Sequence, residues 1–275
     1  MKRSGILSIL IAGLCAGSVS LMHSVPQKGD SAVGKVFPFA SHIDDFDNGL
    51  RVVTVPLPYP DLVAFYAVVR AGSRNEVEPG KSGFAHFFEH MMFRGTKAFP
   101  PDKYNAVLKA MGAEHNAFTT DDFTAYHMVL GKRDLERAME VEADRFQRLD
   151  YPVDAFRTEA KAVLGEYNKN SANPISKLFE VMQDRSFTTH TYKHTTMGFL
   201  KDIEVMPDQF DYSRLFFDRF YRPENVVLLV VGDVDHDQVL SLAKKYWGGW
   251  KRGGFTQEIP EEPAATGPYT ASIDW

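Results

Sequence analysis

Strand-forming runs open the chain, and helical periodicity takes over further along. Leu50-Arg51-Val52-Val53-Thr54-Val55 and the run Leu62–Val69 flank a Pro-rich turn; both are dense in β-branched and aromatic residues and predict strands. A loop punctuated by Gly72, Gly80 and Gly83 leads into a helix from about Phe84 to Phe93. A second helix over about 102–111 enters after Pro100-Pro101 and stops at Gly112. Residues 116–120 and 123–130 read as two strands around Asp121-Asp122. Long amphipathic helices follow over 132–149 and 154–170, divided by Pro152, with further helices over 175–185, 207–220 and 236–247. Between the last two, Asn225–Val231 is an almost unbroken apolar run, the mark of a buried strand. Strands and helices in this order, with no regular βαβ alternation, predict an α+β fold.

The ends of the chain read differently. Lys2 and Arg3 precede an apolar run from Ile6 to about Val19 that is too short to span a bilayer and ends in small residues. Residues 1–20 are therefore expected to be an export signal peptide, with Ser18-Val19-Ser20 as the cleavage pattern; an uncleaved anchor or a buried helix is the alternative. Once it is removed, no stable membrane span is expected, and the chain is placed in the periplasm or outside the cell. Residues 21–45 read as a leader segment and 46–252 as the folded domain. Residues 253–275, dense in Pro, Gly, Glu and Thr, read as a linker toward a second domain that this chain does not include.

Composition narrows the chemistry. With 44% hydrophobic and 24% charged residues the chain is globular, neither disordered nor fibrous. A formal net charge of −5 lacks the basic excess that phosphate contacts require, which argues against nucleic-acid binding. The single cysteine, Cys15, excludes an intramolecular disulfide and any zinc site built from several thiolates. A transition metal would have to be held by histidines and carboxylates.

His86-Phe87-Phe88-Glu89-His90 supplies such groups. On a helix, at about 100° per residue, His86 and His90 lie about 40° apart on one face, with Glu89 about 80° from their midpoint. In the better-known His-Glu-x-x-His order the glutamate falls at the mirror position, so the inverted order offers two ligands and a flanking carboxylate with the chain direction reversed. Two histidines and a glutamate at this spacing also occur as partly buried polar residues, and the spacing alone leaves both readings open. A third ligand would be a carboxylate on another element. Glu159 and Glu166 are seven apart on the 154–170 helix and share a face, among the small or apolar Ala160, Ala162, Val163, Leu164 and Gly165. Taken alone, that helix reads as an amphipathic helix with ordinary solvated glutamates.

His86–His90 followed by Glu166, 76 positions after His90, resembles the pitrilysin (insulinase) family of zinc metallopeptidases, which includes mitochondrial processing peptidase. Gly83-Phe84-Ala85 before the motif, Met92-Phe93-Arg94-Gly95-Thr96 after it, Asn116-Ala117-Phe118-Thr119 with Asp122 and Tyr126, and Tyr221–Asn225 leading to Val231-Gly232-Asp233 resemble the family's other stretches. The resemblance spans about 50 to 250 and implies a mainly antiparallel sheet packed against several helices. It makes 46–252 an N-terminal catalytic domain. It implies one Zn2+ per domain, ligated by His86, His90 and Glu166, with Glu89 as general base and Glu159 as a group orienting a ligand. Asn116 and Ala117 would lie on an edge strand that pairs with extended substrate. The expected activity is hydrolysis of peptides or unfolded polypeptides. The alternative is a non-catalytic scaffold or metal-binding subunit that shares the fold. Family members carry or recruit a second domain or partner subunit that closes a chamber and supplies an Arg/Tyr pair; no replacement for that pair is found here. The His190–Gly198 loop resembles the family's loop near the site, with its histidines read as structural; His115 and His127 flank the edge-strand hairpin, where they could touch substrate, and are read as core or surface residues.

Overall fold

The computed structural model describes residues 37–268 and 270–273. The expected export signal, with Cys15, lies outside them. The strands are β1 (His42–Asp45), β2 (Arg51–Pro56), β3 (Leu62–Val69), β4 (Glu114–Thr119), β5 (Thr124–Gly131) and β6 (Val226–Gly232). The helices among the described residues are α1 (Phe84–Met91), α2 (Pro101–Met111), α3 (Leu135–Arg148), α4 (Val153–Ser171), α5 (Pro174–Ser186), α6 (Leu200–Val205), α7 (Phe210–Phe220) and α8 (His236–Trp247). The strands form one mixed sheet in the order β1-β2-β6-β3-β5-β4, in which only β2 and β6 run parallel. The fold is α+β.

Register explains the layering. Ala67 sits opposite Tyr126 and Leu228, and Phe65 opposite Met128 and Val230, so these residues share one face. All of them are buried. The helices cover that face with an aromatic core that includes Phe84, Phe87, Phe88, Phe146, Phe156, Phe216 and Trp247. Residues of the opposite face, such as Tyr66, His127 and Leu229, are only half-buried. Among the described residues no helix is long and apolar enough to cross a membrane.

The structure departs from the sequence reading in places. β1 lies inside the stretch expected to be a leader (21–45) and hydrogen-bonds to β2; four residues with one large apolar side chain, Ile43, carry too weak a pattern to read as a strand. The helix expected over 84–93 ends at Met91, and a 3-10 turn covers Met92–Arg94. The six-residue α6 has no counterpart in the expected elements, and α7 starts at Phe210, after a 3-10 turn over Met206–Asp208. The segment expected to be a linker is tied to the domain as far as residue 262. Glu224 accepts the Gly253 and Gly254 N–H groups at 2.8 and 2.6 Å, Gln257 bonds Asn75, and Glu262 accepts the N–H groups of Thr188, Thr189 and His190.

Two polar devices pin the sheet to the helices. Glu142 and Arg145, one turn apart on α3, form a fully buried pair at 2.6 Å, and Tyr104 donates to the same carboxylate at 2.8 Å. The Arg145 guanidinium lies 4.9 Å from the Tyr126 ring centroid and 5.0 Å from that of Phe93, and it reaches the Met92 carbonyl just past α1. Tyr126 donates to the Phe88 carbonyl within α1 and bonds Tyr221 at 2.6 Å. Removing Arg145 would leave the Glu142 carboxylate buried and unpaired, so Arg145→Met is expected to cost about 3–5 kcal/mol, measured by urea unfolding.

His194, on the loop before α6, is buried, and burial holds its imidazole below the ordinary histidine range. The unfolded chain takes up this proton near pH 6.5, which the native state resists, so stability is lost as pH falls below that value. His194→Gln is expected to remove this contribution, raising the unfolding free energy at pH 5 relative to pH 7 when compared with the wild type; an unchanged pH dependence would show that His194 does not contribute to it.

Candidate metal centre

The site is built on α1, a helix of only two turns whose Phe84, Phe87, Phe88 and Met91 are buried in the core. That packing turns the remaining face, with His86, Glu89 and His90, toward α4 and β4. Isolated helices this short are unstable in water, so α1 depends on its surroundings.

His86 Nε2 and His90 Nε2 lie 3.3 Å apart, and Glu166 Oε2 approaches them at 3.7 and 3.5 Å. Among the described residues this is the one group of three whose candidate ligand atoms lie within 4.8 Å of one another. A tetrahedral ion with metal–nitrogen bonds of about 2.05 Å has ligand–ligand edges of about 3.3 Å, so the spacing and the N, N, O donor set fit a zinc ion. Glu166 projects from α4 between the exposed Gly165 and the buried Tyr167. Ala160 and Val163 make the buried side of that helix, whereas Ala162 and Gly165 face outward.

A second layer of hydrogen bonds orients the rings. Glu159 Oε1 lies 2.9 Å from His90 Nδ1, and its other oxygen takes the Arg94 guanidinium. An Nδ1–H donated to Glu159 leaves the Nε2 lone pair of the neutral His90 facing His86 and Glu166. The hydrogen bond to Glu159 raises the His90 pKa, against the effect of burial. Burial lowers that of His86, helped by the neighbouring ring. Burial also pushes the Glu159 carboxyl up, but the bonds from His90 and Arg94 outweigh it and hold the group below its usual value. His86 Nδ1 is buried and has no hydrogen-bond partner among the described residues.

Glu89 faces the same cavity of about 360 Å³ as His90, Phe93, Arg94, Asn105 and Glu159. Its Oε2 accepts a 2.6 Å hydrogen bond from Thr119 Oγ1 on β4, which leaves Oε1 free of that contact. Among the described residues β4 is the last strand of the sheet and pairs only with β5. Asn116 on it is exposed, Ala117 is buried, and the Ala117 N–H donates to the Asn116 side chain at 2.9 Å. His115 is exposed beside them, and His127 stacks on Tyr66 at 5.1 Å.

The structure thus brings His86, His90, Glu166, Glu89 and Glu159 together at one place, and sets Asn116 and Ala117 along the neighbouring edge. Arg94 and Thr119 were not foreseen. Both lie in stretches that carry the family resemblance, but nothing in the spacing ties Thr119 to Glu89, 30 positions earlier. A buried carboxylate such as Glu159 calls for a cation, which is the signal that could have drawn attention to Arg94.

The comparisons with known proteins agree with this geometry. The profile described as insulinase (peptidase family M16) matches residues 51–199, which contain every residue of the cluster. A second profile, described as the peptidase M16 inactive domain, matches residues 210–273. This second match contributes β6, which lies between β2 and β3, so the two matches share one sheet. The chain is 32% identical over 234 residues to the zinc protease PqqE of Helicobacter pylori, covering 82% of this chain and 51% of that protein. It is 28% identical over 209 residues to the cytochrome b-c1 complex subunit 1 of Bos taurus, covering 76% of this chain and 43% of that one. The crystal structure of a protease from Helicobacter pylori superimposes with a TM-score of 0.77 at 31% identity, over 82% of this chain and 55% of that one. The chain spans about half the length of the curated relatives it matches. On the strength of a profile match running through the whole cluster and a shared fold, the chain belongs to the insulinase family, peptidase family M16.

Proposed function

We propose that this chain is the catalytic domain of a zinc-dependent endopeptidase acting on peptides or unfolded polypeptides. The observation that carries the reading is the convergence of His86, His90 and Glu166 on one point with Glu89 in the adjoining cavity. A family member kept only for assembly has no need of all four groups, although the relationship to a cytochrome b-c1 subunit makes that role the competitor to test.

His86, His90 and Glu166 would hold the ion. Bound there, zinc supplies Lewis acidity and lowers the pKa of coordinated water to about 7. Glu89 acts as the general base: Thr119 occupies Oε2, so Oε1 takes the proton from the attacking water and returns it to the leaving amine. Glu159, itself held by Arg94, fixes the His90 ring. The open edge of β4 at Asn116 and Ala117 receives the substrate as an added strand, through main-chain bonds that favour an extended chain over a particular sequence. Folded substrates have few free backbone groups to offer such an edge, which supports unfolded polypeptides as the class.

A second domain or subunit of the same family closes the site in this proposal, supported by relatives about twice as long. The basic and apolar start of the sequence, residues 1–20, supports export.

Zinc content and cleavage of a quenched fluorescent peptide by the full chain test the proposal. Glu89→Gln is expected to keep stoichiometric zinc and to lower turnover by about 10²–10⁴-fold. His90→Ala is expected to lose both. Undiminished cleavage by Glu89→Gln would remove Glu89 as the base, and zinc binding without cleavage, even with a second domain supplied, would favour the assembly role. Thr119→Val removes a hydrogen bond to a carboxylate worth about 1.5 kcal/mol, so kcat is expected to fall about tenfold at unchanged KM, while Thr119→Ser keeps the hydroxyl and the rate.

A further inference from the structure

Glu76 is a buried carboxylate that the proposed hydrolysis does not use. It follows the 3-10 turn Ser73–Asn75 and is 4% exposed. Among the described residues no lysine or arginine pairs with it, and His194 Nε2, at 3.8 Å, is buried with no hydrogen-bond partner there. A carboxylate is costly to bury in this way unless its oxygens are otherwise engaged.

They are engaged at the start of α1. Glu76 Oε2 accepts the Gly83 N–H and Oε1 accepts the Ala85 N–H, each at 2.7 Å. The N-cap residue of α1, Gly83, is left-handed (φ +92°) and has no side chain to cap the first turn. Glu76 therefore caps the helix from outside, accepting from donors that helix geometry leaves unpaired, while burial pushes its carboxyl up to about 8. The other flank of the same turn is fixed too. Ser82 Oγ donates to Asp202 at 2.6 Å and accepts the Phe199 N–H at 2.8 Å, and Gly198 packs so closely that a Cβ there would lie 2.6 Å from the Gly83 nitrogen. Ala85, gripped by Glu76, is followed directly by His86, in the first turn of an eight-residue helix. The path from carboxylate to imidazole is thus one peptide unit long.

We propose that Glu76 is a positioning residue for His86: by locking the first turn of α1 it sets the direction of the His86 ring and so the affinity of the site for its metal ion. The inference rests on the reading of His86, His90 and Glu166 as zinc ligands. It adds a residue that does not line the cavity and that reaches the proposed ligand His86 through the backbone of α1.

The test uses the full-length chain and its Glu76→Ala, Glu76→Gln and Glu78→Gln variants. Zinc stoichiometry, zinc affinity by chelator competition, the visible absorption spectrum of the cobalt-substituted protein, and thermal unfolding of the metal-free protein are measured together. The wild type is expected to bind one zinc ion per chain. Glu76→Ala is expected to weaken binding by about tenfold or more, in the range for loss of a group that orients a ligand, and to alter the cobalt spectrum. Glu76→Gln keeps one acceptor and is expected to show a smaller loss, which decides the matter should the alanine variant fail to fold. Glu78→Gln, whose carboxylate bonds Tyr212 and Arg219 instead, is expected to match the wild type. Unchanged affinity and spectrum in both Glu76 variants, with or without a lower unfolding temperature, would reduce Glu76 to a structural cap and overturn the inference while leaving the zinc reading intact. A wild-type chain that binds no zinc would overturn both.

Discussion

The site depends on a two-turn helix being held still. α1 carries two imidazoles and a carboxylate on one face, and a metal ligand set tolerates little angular error. Eight residues cannot supply that rigidity through their own hydrogen bonds, because four N–H and four C=O groups at the ends of a helix have no partner within it. The surroundings supply it. Glu76 takes amide groups at the start, Tyr126 reaches the Phe88 carbonyl in the middle, and Arg145 reaches the Met92 carbonyl beyond the end. Between these pins the aromatic core holds the buried face of α1, with Phe84 packed on Tyr212, Phe87 on Phe156 and Phe88 on Phe216.

The same economy governs the charges. Four carboxylates stand at or near the helix: Glu76, Glu89, Glu159 and Glu166. Each is handled differently. Glu76 is matched with backbone amides, Glu89 with a hydroxyl, and Glu159 with His90 and Arg94 together. Among the described residues Glu166 faces only the two imidazoles, at 3.7 and 3.5 Å. A divalent cation among those three groups would offset their mutual crowding and complement a site in which, among the described residues, one acidic side chain has no hydrogen-bond donor.

Placement at the sheet edge gives the site access to a long molecule. Thr119 belongs to the edge strand and bonds the proposed base, so the surface that would receive an extended chain and the group that would act on it are mechanically continuous. The other end of the domain is bound down: the segment after Trp250 runs along the surface through Glu224, Gln257 and Glu262 rather than hanging free. Its contact with residues 188–190 leads into the loop whose Gly198 buttresses the entry to α1.

The sequence by itself determined the strands with dense β-branched residues, the long helices and the metal-binding spacing of His86 and His90, because each rests on periodicity within a few residues. It also pointed to Glu159 and Glu166, through their shared helix face and through family resemblance. It could not decide that β6, nearly last in the chain, would slide between β2 and β3, nor that the four residues of β1 would join the edge. Which strands become neighbours is decided when sheet and helices assemble around one core, and the local pattern that makes each segment a strand does not name its partner. Nor could it tie Thr119 to Glu89, Arg94 to Glu159, or Glu76 to the amides of Gly83 and Ala85. Those bonds link residues whose spacing obeys no helical or strand period, and only the packing of separate elements around one core brings their polar atoms within reach.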